Sequence, residues 1–336
     1  MISFTLIIFN LILFFSLTKI AKFINIYDNP DGKLKIHKHS VPVLGGILFF
    51  LNFWVLIFLQ LFFFDIFLIF EKSSFLRREI ISLLFFITFF FTIGLFDDKY
   101  EINPYTKLTL IIFSSILVLL VNDNLIVKNF VLSFYENKIF LNNFSIFFTI
   151  FCIVILINAL NFYDGINGQS GIFYIFVFSF LYYVSDNYFY LIYVSLIFFN
   201  LLLNLTNKLF FGDSGIYLIG SILIICLIYE HNFTRNIIYA DEIFFLFLLP
   251  GFDLVRLTFE RLISNKNMFY GDRKHFHHYL NMKYDLFISN LVLMVFNSFP
   301  IVLFKYGLNF YYILFFFLAS YFLAIHYLKK FSKKGY

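Results

Sequence analysis

The fold is decided by the stretch FFFTIGLFDDKYEINP, residues 89–104. It begins as a run of almost only Phe, Ile and Leu and ends in two adjacent carboxylates, Asp97 and Asp98, shortly before Pro104. Such a run is typical of a helix that crosses a bilayer, and charged side chains are costly to bury in lipid. The carboxylates are therefore expected to lie where this helix leaves the membrane.

The composition of the whole chain agrees with this interpretation. Of its 336 residues, 61% are hydrophobic and 13% are charged, and the mean hydropathy is +0.87. Soluble domains carry about 25% charged residues, so we predict an integral membrane protein. The 57 Phe residues occur throughout the chain, so no single ring identifies a binding site. Cys152 and Cys226 lie in apolar runs, which argues against a disulfide framework or a zinc site.

Eleven apolar runs predict membrane-spanning helices, for which about 20 residues are needed. The runs lie near residues 2–22, 43–64, 80–96, 107–121, 145–160, 170–184, 188–204, 215–230, 242–256, 287–304 and 309–328. The first run has no basic segment before it and no small-residue cleavage site, which predicts a retained span and not a signal peptide. With no internal repeat and no separate soluble domain, we predict one all-α domain over residues 1–336.

The basic residues predict how the spans are oriented. Eleven spans place the termini on opposite sides, and an outside N-terminus puts 18 of the 25 Lys and Arg residues in the cytoplasm. The other seven are Lys72, Arg77, Arg78, Lys128, Lys138, Arg235 and Lys305. Cytoplasmic loops carry the excess of Lys and Arg, so the sequence predicts an N-out, C-in protein of the plasma membrane.

In this topology the polar segments that carry unusual residues share one side. The cytoplasmic loops contain DNPDGKLKIHKHSVPVLGG, GLFDDKYEINPYTK, NALNFYDGINGQSG, NKLFFGDSG and ERLISNKNMFYGDRKHFHHYL. The outer loops have the composition of ordinary solvated connections. Five polar loops on one face predict one composite site at the boundary between membrane and cytoplasm.

The paired carboxylates suit a cation. On a helix Asp97 and Asp98 point about 100° apart, and near a low dielectric they repel each other unless a divalent metal or a lysine is close. Glu101 and Lys107 complete a charged cluster, and its spacing is similar to the DDxxD diphosphate–magnesium motif of isoprenoid enzymes. Taken alone, the pair is also consistent with a helix end in water.

The third loop carries amides and a carboxylate at three-residue spacing. These are Asn158, Asn161, Asp164 and Asn167. They share roughly one side of a helical turn, which suits a ligand rich in hydroxyl and imide groups such as a nucleoside. A polar helix cap is the alternative interpretation.

The fourth loop places Asp213 between glycines, directly before an apolar run. Asp213 and Ser214 can cap the helix that follows. The start of a helix favours phosphate, and a carboxylate beside phosphate favours Mg²⁺. Capping and metal binding both remain open on these residues alone.

The last loop holds His275, His277 and His278 directly after Arg273 and Lys274. The H-x-H-H spacing does not match the i, i+4 pattern of helical zinc ligands. Imidazole and basic side chains can instead hold phosphate, although a basic patch attracted to anionic lipid is the alternative.

The first loop offers the same two interpretations. Lys35, His37 and Lys38 precede Pro42 and a Gly-Gly pair at the start of the second span. Basic side chains at this position suit a phosphate or an anionic membrane surface.

Read together, the five loops resemble the polyprenyl-phosphate N-acetylhexosamine-1-phosphate transferases (glycosyl transferase family 4), in collinear order over about residues 25–280. The resemblance implies attack of a lipid phosphate on the β-phosphorus of a UDP-sugar, giving a polyprenyl-diphosphate-sugar and UMP with Mg²⁺, or Mn²⁺, as the metal. The implied partners are undecaprenyl phosphate, a UDP-N-acetylhexosamine and membrane lipid, with no nucleic acid. Whether the chain forms a homodimer is left open.

The resemblance also implies roles for individual residues. The implied catalytic residues are Asp97, Asp98 and Asp213, and the implied metal ligands are Asp213 and Asp98. The implied substrate-binding residues are Lys35, Lys107, Asn161, Asp164, Asn167, His275, His277 and His278. Asp97 is expected to act on the lipid phosphate, as a base or by positioning it.

Three positions depart from the family's motifs. Asn167 stands where many relatives have the second Asp of D-G-x-D-G, Leu34 where Arg is frequent, and Ile216 where Ser often follows G-D-x-G. The H-x-H-H loop favours the branch that starts cell-envelope polysaccharides over the phospho-MurNAc-pentapeptide branch of peptidoglycan synthesis. GlcNAc is the default sugar.

Two other classes of protein fit less well. A membrane prenyltransferase would need a second aspartate-rich helix, and the sequence has none at D-x-x-x-D spacing. A transporter of lipid-linked sugars would place ionisable residues near the bilayer midplane, whereas here they lie mainly at the ends of the runs.

Overall fold

Helices make up most of the chain. The computed structural model describes residues 2–30, 39–63, 66–67, 70–71, 76–233, 238–265 and 273–332. The helices in these ranges are α1 (Ile2–Ile24), α2 (Gly45–Phe63), α3 (Arg77–Tyr100), α4 (Pro104–Val121), α5 (Ser145–Tyr163), α6 (Gln169–Ser185), α7 (Phe189–Leu205), α8 (Gly212–Phe233), α9 (Ala240–Leu246), α10 (Leu248–Ile263), α11 (Phe276–Lys283), α12 (Leu286–Lys305) and α13 (Phe310–Ser332).

Eight of these helices are long and apolar enough to cross a membrane. They are α1, α2, α3, α4, α5, α8, α12 and α13. The apolar helices α6 and α7 have 17 residues each, which at 1.5 Å per residue corresponds to about 26 Å. The chain is therefore a helical, polytopic membrane protein, while the count of eleven spans stays a prediction.

The predicted span at 242–256 is not one helix. Helix α9 ends at Leu246 and α10 begins at Leu248, with Phe247 between them. Pro250 gives the physical reason. In a continuous helix its ring would clash with the carbonyl of Leu246, and it has no N–H to donate to that group.

Three small β-sheets depart from the predicted all-α fold. Each is a pair of antiparallel strands in a connection between helices. The pairs are β1 (Tyr27–Asp28) with β2 (Val41–Pro42), β3 (Ile66–Phe67) with β4 (Phe70–Glu71), and β5 (Asn129–Leu132) with β6 (Tyr135–Phe140). Exposed sheet edges are excluded from the hydrocarbon region of a bilayer, so these strands are compatible with loops outside it.

Helix α8 is the most buried of the candidate spans, since 83% of the residues in its apolar stretch are buried inside the structure. It packs against α2, α3 and α5. Glycines permit the closest approach: a Cβ on Gly46 would lie 2.3 Å from the nitrogen of Gly215, and one on Gly94 would lie 2.4 Å from the carbonyl oxygen of Asp213. Small residues at such crossings let membrane helices pack backbone to backbone. The start of α8 consequently lies against the last turns of α3.

Backbone hydrogen bonds fasten the N-terminal loop to the segment before α8. The N–H of Phe210 donates to the carbonyl of Pro42 (3.0 Å), and the N–H of Gly45 donates to the carbonyl of Phe210 (2.9 Å). The N–H of Val43 donates to Ile26 (3.0 Å). The first loop and the α7–α8 connection are thus held side by side.

Candidate active site

A cavity of about 1250 Å³ lies at the ends of α3, α5, α8 and α10. Each of the five polar loops singled out in the sequence contributes described residues to its wall. These include Asp28, Asn29, Asp97, Asp98, Glu101, Asn161, Asp164, Asn167, Asn207, Asp213, Arg261, Arg273, His275, His277 and His278. The tertiary fold therefore gathers segments from opposite ends of the sequence into one site.

Asp98 caps a helix other than its own. Its Oδ1 accepts a hydrogen bond from the N–H of Asp213 (2.7 Å), and its Oδ2 accepts one from the N–H of Ser214 (3.0 Å). The first N–H groups of a helix have no partner within it, and the helix dipole favours a carboxylate there. Gly212 has a φ of +69°, and a Cβ on it would lie 2.7 Å from Asp98 Oδ2. Asp98 thus positions Asp213, and metal binding by Asp98 stays a prediction.

Lys107 joins Asp97 to Asp213. Its Nζ donates to Asp213 Oδ2 at 2.9 Å and forms an ion pair with Asp97 Oδ2. The other oxygen of Asp97 accepts from the N–H of Ile102 (2.9 Å), and Asn161 Nδ2 lies 3.4 Å from Asp213 Oδ2. Among the described residues of the cavity wall both carboxylates are present and Lys107 is not. The lysine therefore holds the carboxylates in place, and its contact with substrate stays a prediction.

The oxygens at this end of the cavity fit a hard divalent cation. Asp97 and Asp213 line the cavity together with the amide of Asn161. Mg²⁺ prefers oxygen ligands and is usually held by one or two carboxylates plus substrate phosphates. With the carboxylate of Asp98 and the ammonium of Lys107 included, three negative groups face one positive group. The formal charge of the cluster is then −2, which one divalent cation balances.

The α5–α6 connection forms the next part of the wall. Asn161, Asp164 and Asn167 all line the cavity. Burial raises the pKa of Asp164 to about 6, and the nearby carboxylate of Asp213 contributes to this rise. The side-chain nitrogen of Asn167 donates to Asn207 Oδ1 at 2.6 Å. Asn167 therefore connects two loops of the cavity wall.

His277 packs tightly against the α5–α6 connection. Its Nδ1 accepts from Gln169 Nε2 (3.1 Å), and Oε1 of the same glutamine accepts from the N–H of Gly165 (3.4 Å). A Cβ on Gly165 would lie 1.8 Å from His277 Nε2, so the ring fits only beside glycine. Burial, with the neighbouring His278 and His275, holds the pKa of His277 well below its usual value. His277 is therefore a neutral, buried ring, and its predicted contact with the diphosphate stays a prediction.

His275 precedes α11 and is held by a carboxylate. Its Nδ1 donates to Asp253 Oδ2 at 2.8 Å. Its ring stacks on that of His277, with centroids 5.2 Å apart, and on that of Phe162, with centroids 5.9 Å apart. The guanidinium of Arg261 lies 5.8 Å from the Phe162 centroid. This wall of the cavity is thus basic and aromatic.

Some functional residues differ from the predicted set. Lys35 lies outside the described residues. Arg261 lines the cavity and Asp253 holds His275, yet neither was predicted. Arg273, which belongs to the basic loop singled out in the sequence, lines the cavity as well. The signal for Asp253 was an aspartate within an apolar run with Arg256 three residues later, because buried charge is costly unless it is paired.

Comparison with known proteins finds a likeness to one family. Residues 80–231 match the model of glycosyl transferase family 4. An undecaprenyl-phosphate alpha-N-acetylglucosaminyl 1-phosphate transferase of Escherichia coli O157:H7 is 27% identical over 280 residues, which are 80% of this chain and 72% of that protein. The protein of that name from Thermotoga maritima is 27% identical over 304 residues, 88% of this chain and 87% of its own. The resemblance predicted from the loops is confirmed.

The family match does not cover the whole site. Residues 80–231 include the carboxylates of α3 and α8 and the α5–α6 connection. They end before Asp253 and the histidines of α11. The residues that hold the histidines therefore lie outside the part of the chain that matches the family model.

Proposed function

We propose, from the resemblance to glycosyl transferase family 4, that the chain transfers N-acetylglucosamine-1-phosphate from UDP-GlcNAc to undecaprenyl phosphate. An oxygen of the lipid phosphate attacks the β-phosphorus of the donor and forms a new P–O bond. The bond from that phosphorus to the bridging oxygen breaks, and the oxygen leaves with UMP. GlcNAc is the proposed sugar because the compared relatives carry N-acetylglucosaminyl in their names.

One observation carries this proposal: the cavity has an acidic wall with Asp97 and Asp213 and a basic wall with His275 and Arg261. Phosphoryl transfer needs little covalent help from the protein and depends on positioning and neutralisation of charge. The lipid phosphate is already ionised near neutral pH, so a strong general base is not required. Asp97 then acts by positioning that phosphate.

The acidic wall is the proposed metal site. Asp213 and Asp97 would hold Mg²⁺, or Mn²⁺ in its place, while Asp98 fixes the backbone of Asp213. When bound, the ion supplies positive charge that stabilises the transferred phosphoryl group. Lys107 limits the repulsion between the two carboxylates and keeps them in one place.

The other wall is the proposed site of the UDP-sugar. Asn161 and Asp164 offer an amide and a carboxylate, which are suitable partners for the imide edge of uracil. Arg261 offers donors for the diphosphate, since an arginine matches phosphate geometry especially well, and the imidazole of His275 lines the cavity beside it. This division places the nucleoside near α5 and the diphosphate between the two walls.

A second cavity supports a lipid acceptor. It has a volume of about 580 Å³ and lies among α5, α8, α9, α10 and α13. The described residues that line it are apolar, apart from the imidazole of His231. Helices α5, α8 and α10 line both cavities. On α5, Ala159 lines the apolar cavity and Asn161 the polar one; on α10, Gly251 lines the apolar cavity and Arg261 the polar one. A polyprenyl chain in the apolar cavity would have its phosphate close to the acidic wall.

A transfer assay tests the proposed reaction. Purified protein is incubated with undecaprenyl phosphate, Mg²⁺ and donors radiolabelled in the sugar, and label is measured in the lipid phase and UMP in the aqueous phase. We expect equal amounts of labelled lipid and UMP with UDP-GlcNAc. Transfer of UDP-MurNAc-pentapeptide alone would favour the peptidoglycan branch, and no transfer from either donor would contradict the proposal.

Gly251 allows a specific test of the lipid cavity. A Cβ added there meets no atom within 4 Å, and Gly251 lines the apolar cavity, so a large side chain is expected to extend into that cavity. We expect Gly251→Phe to raise the KM for undecaprenyl phosphate about 10-fold and to leave the KM for UDP-GlcNAc unchanged. Gly251→Ala is the matched control and should resemble the wild type. Equal changes in both KM values would argue against this cavity as the acceptor site.

We infer that α6, α7 and the α9–α10 pair also cross the membrane, which gives eleven spans with the active site facing the cytoplasm. The test uses a parent with Cys152→Ser and Cys226→Ala. Single cysteines at the exposed positions Ser264 and Asn137 should be labelled from the cytoplasm and from outside, respectively. The reverse labelling would overturn the orientation.

A further inference from the structure

A buried carboxylate outside the family match holds the basic wall together. Asp253 on α10 is 3% exposed. Its Oδ2 accepts from His275 Nδ1 at 2.8 Å, and its Oδ1 accepts from a guanidinium nitrogen of Arg256 at 2.8 Å and from the hydroxyl of Tyr321 at 2.5 Å. The N–H of Phe276 lies 3.3 Å from both oxygens. Groups from α10, α11, α13 and the segment before α11 thus converge on one carboxylate.

These contacts determine how His275 is presented. Because an ionised carboxylate only accepts hydrogen bonds, the proton on Nδ1 of His275 faces Asp253. The ring is then oriented, and its Nε2 is the nitrogen that remains for a ligand in the cavity that His275 lines. A carboxylate beside a histidine commonly fixes both the tautomer and the orientation of the ring.

Asp253 also defines where α11 begins. It lies at the N–H of Phe276, the first residue of that helix, where a negative charge is favoured by the helix dipole. Arg256 strengthens this arrangement, since it donates to the carbonyl of Lys274 (2.8 Å) and to Glu260 (2.9 Å). The backbone on both sides of His275 is therefore tied to the same pair of α10 residues.

Helix α13 supports the pair from the far side. Tyr321 is fully buried, donates to Asp253 and accepts from Arg256 Nε at 2.7 Å. Its ring packs 5.3 Å from that of Phe276. The C-terminal helix, which carries none of the predicted site residues, consequently contributes to the geometry of the site.

We propose that Asp253 is a positioning residue for the UDP-sugar, acting through His275 and the start of α11, with Tyr321 as its support. The inference rests on the proposed function, since it names the group that orients the basic wall of that site. It predicts that loss of Asp253 weakens binding of the UDP-sugar donor and leaves binding of the lipid acceptor nearly unaffected, because the acceptor is assigned to the acidic wall and the apolar cavity.

The first experiment compares Asp253→Asn with Asp241→Asn. Asp241 is also buried, at 2% exposed, and accepts from Ser133 in another part of the molecule, so the control removes the same charge. We expect Asp253→Asn to raise the KM for UDP-GlcNAc about 10- to 100-fold and that for undecaprenyl phosphate less than about 2-fold. Asp241→Asn should change neither. Equal changes in both KM values of Asp253→Asn would overturn the inference.

A double-mutant cycle tests whether Asp253 acts through His275. If it does, Asp253→Asn should add at most about 2-fold to the loss caused by His275→Gln. Multiplication of the two single effects would overturn the inference. Should Asp253→Asn fail to fold, Tyr321→Phe replaces it, with an expected rise of about 3-fold in the KM for the donor alone; unchanged kinetics would overturn the inference.

Donor binding without lipid separates this inference from the proposed function. UDP-GlcNAc should raise the Tm of the wild type, and Asp253→Asn should need about 10- to 100-fold more donor for half of that rise. Wild-type binding without transfer would overturn the proposed function and keep the role of Asp253. Transfer by the wild type with unchanged donor binding by Asp253→Asn would overturn the role of Asp253 and keep the proposed function.

Discussion

Each wall of the polar cavity contains groups that are joined by one charged side chain, a lysine at the acidic wall and an aspartate at the basic wall. On the acidic wall, Asp97 and Asp213 are joined by one lysine, Lys107. At the basic wall, one carboxylate, Asp253, accepts from both His275, which lines the cavity, and Arg256 behind it. The two aspartates of the acidic wall repel each other at close range unless a counter-charge lies between them. Each wall therefore depends on a single charged side chain that bridges two others.

The walls differ in how they are built. The acidic wall comes from the ends of the long helices α3 and α8, which glycines bring into direct contact, and it lies within the family match. Lys107 of α4 joins the two carboxylates from behind. The basic wall comes from a short helix, α11, and the segment before it, braced by α10 and by Tyr321 of α13. Because the two walls rest on different helices, the proposed metal site and the proposed donor site are expected to respond separately to substitutions.

The largest effect is expected on the acidic wall, from Asp213→Asn. The amide keeps the shape of the side chain and removes the charge that would hold the cation. We expect the rate of UMP release to fall roughly 1,000-fold, with an unchanged elution profile of the purified protein. Asp123→Asn, an exposed aspartate beyond the other end of α4, is the control and should keep full activity. Wild-type turnover by Asp213→Asn would remove it from the metal site.

Lys107→Met tests the counter-charge of the same wall. Without the ammonium, Asp97 and Asp213 repel each other, and we expect kcat to fall about 100-fold. Removing one partner of a largely buried pair is also destabilising, by about 2 kcal/mol at this partial exposure, or roughly 3 °C in Tm. Steady-state kinetics and thermal melting measure both effects. A raised KM for the donor with an unchanged Tm would instead favour direct substrate binding by Lys107.

Asp98→Asn distinguishes the helix cap from the predicted metal ligand. The amide oxygen can keep one of the two hydrogen bonds from the start of α8, so we expect a loss of about 20-fold in kcat, in line with the weakening of a cap. If Asp98 acts by positioning Asp213, the loss is the same at every Mg²⁺ concentration. Recovery at high Mg²⁺ would show that Asp98 is a ligand.

The smallest effect concerns pH and the nucleoside end of the cavity. With its pKa raised to about 6, Asp164 takes up a proton as the pH falls through that value and loses the negative charge that accepts from uracil. We expect the KM for UDP-GlcNAc to rise up to about 10-fold between pH 7 and pH 5. Asp164→Asn should remove this dependence, whereas titration of the lipid phosphate would leave it in place.

The same shift fixes the sign of the effect on stability. The folded protein binds this proton more tightly than the unfolded chain does, because the pKa of Asp164 is raised from 3.8 to about 6. Ionisation of Asp164 therefore lowers folding stability as the pH rises across that range, and the loss is complete above it. Melting temperatures of the wild type and Asp164→Asn between pH 4 and pH 7 check the direction.

Much of the helix arrangement was predictable because hydrophobicity is a local property of the chain. Ten of the eleven apolar runs correspond to single helices, and the exception is the run broken at Pro250. That break was readable in principle, since proline cannot continue a helix past its first turn. The paired strands were not predicted, because strands of two to six residues leave little periodicity in a sequence.

The composition of the site was predictable to a similar degree, and its internal contacts were not. The structure gathers the described members of the predicted set around one cavity, with Lys107 behind Asp97 and Asp213. It also shows that Asp98 caps α8 and that His277 is enclosed by Gly165 and Gln169. Such contacts join residues that are far apart in the chain, so spacing alone carries no record of them.

The sequence by itself determined that this is a membrane protein of many helices with polar loops on one side and a likeness to glycosyl transferase family 4. Those conclusions need only apolar run lengths, charge distribution and short motifs. Only the tertiary structure decided which carboxylate caps a helix, which lysine pairs with which aspartates, and that Asp253 and Tyr321 support the histidines. The reason is physical: a buried charge must find its partner in space, and packing among α3, α8, α10 and α13 determines which partner is within reach.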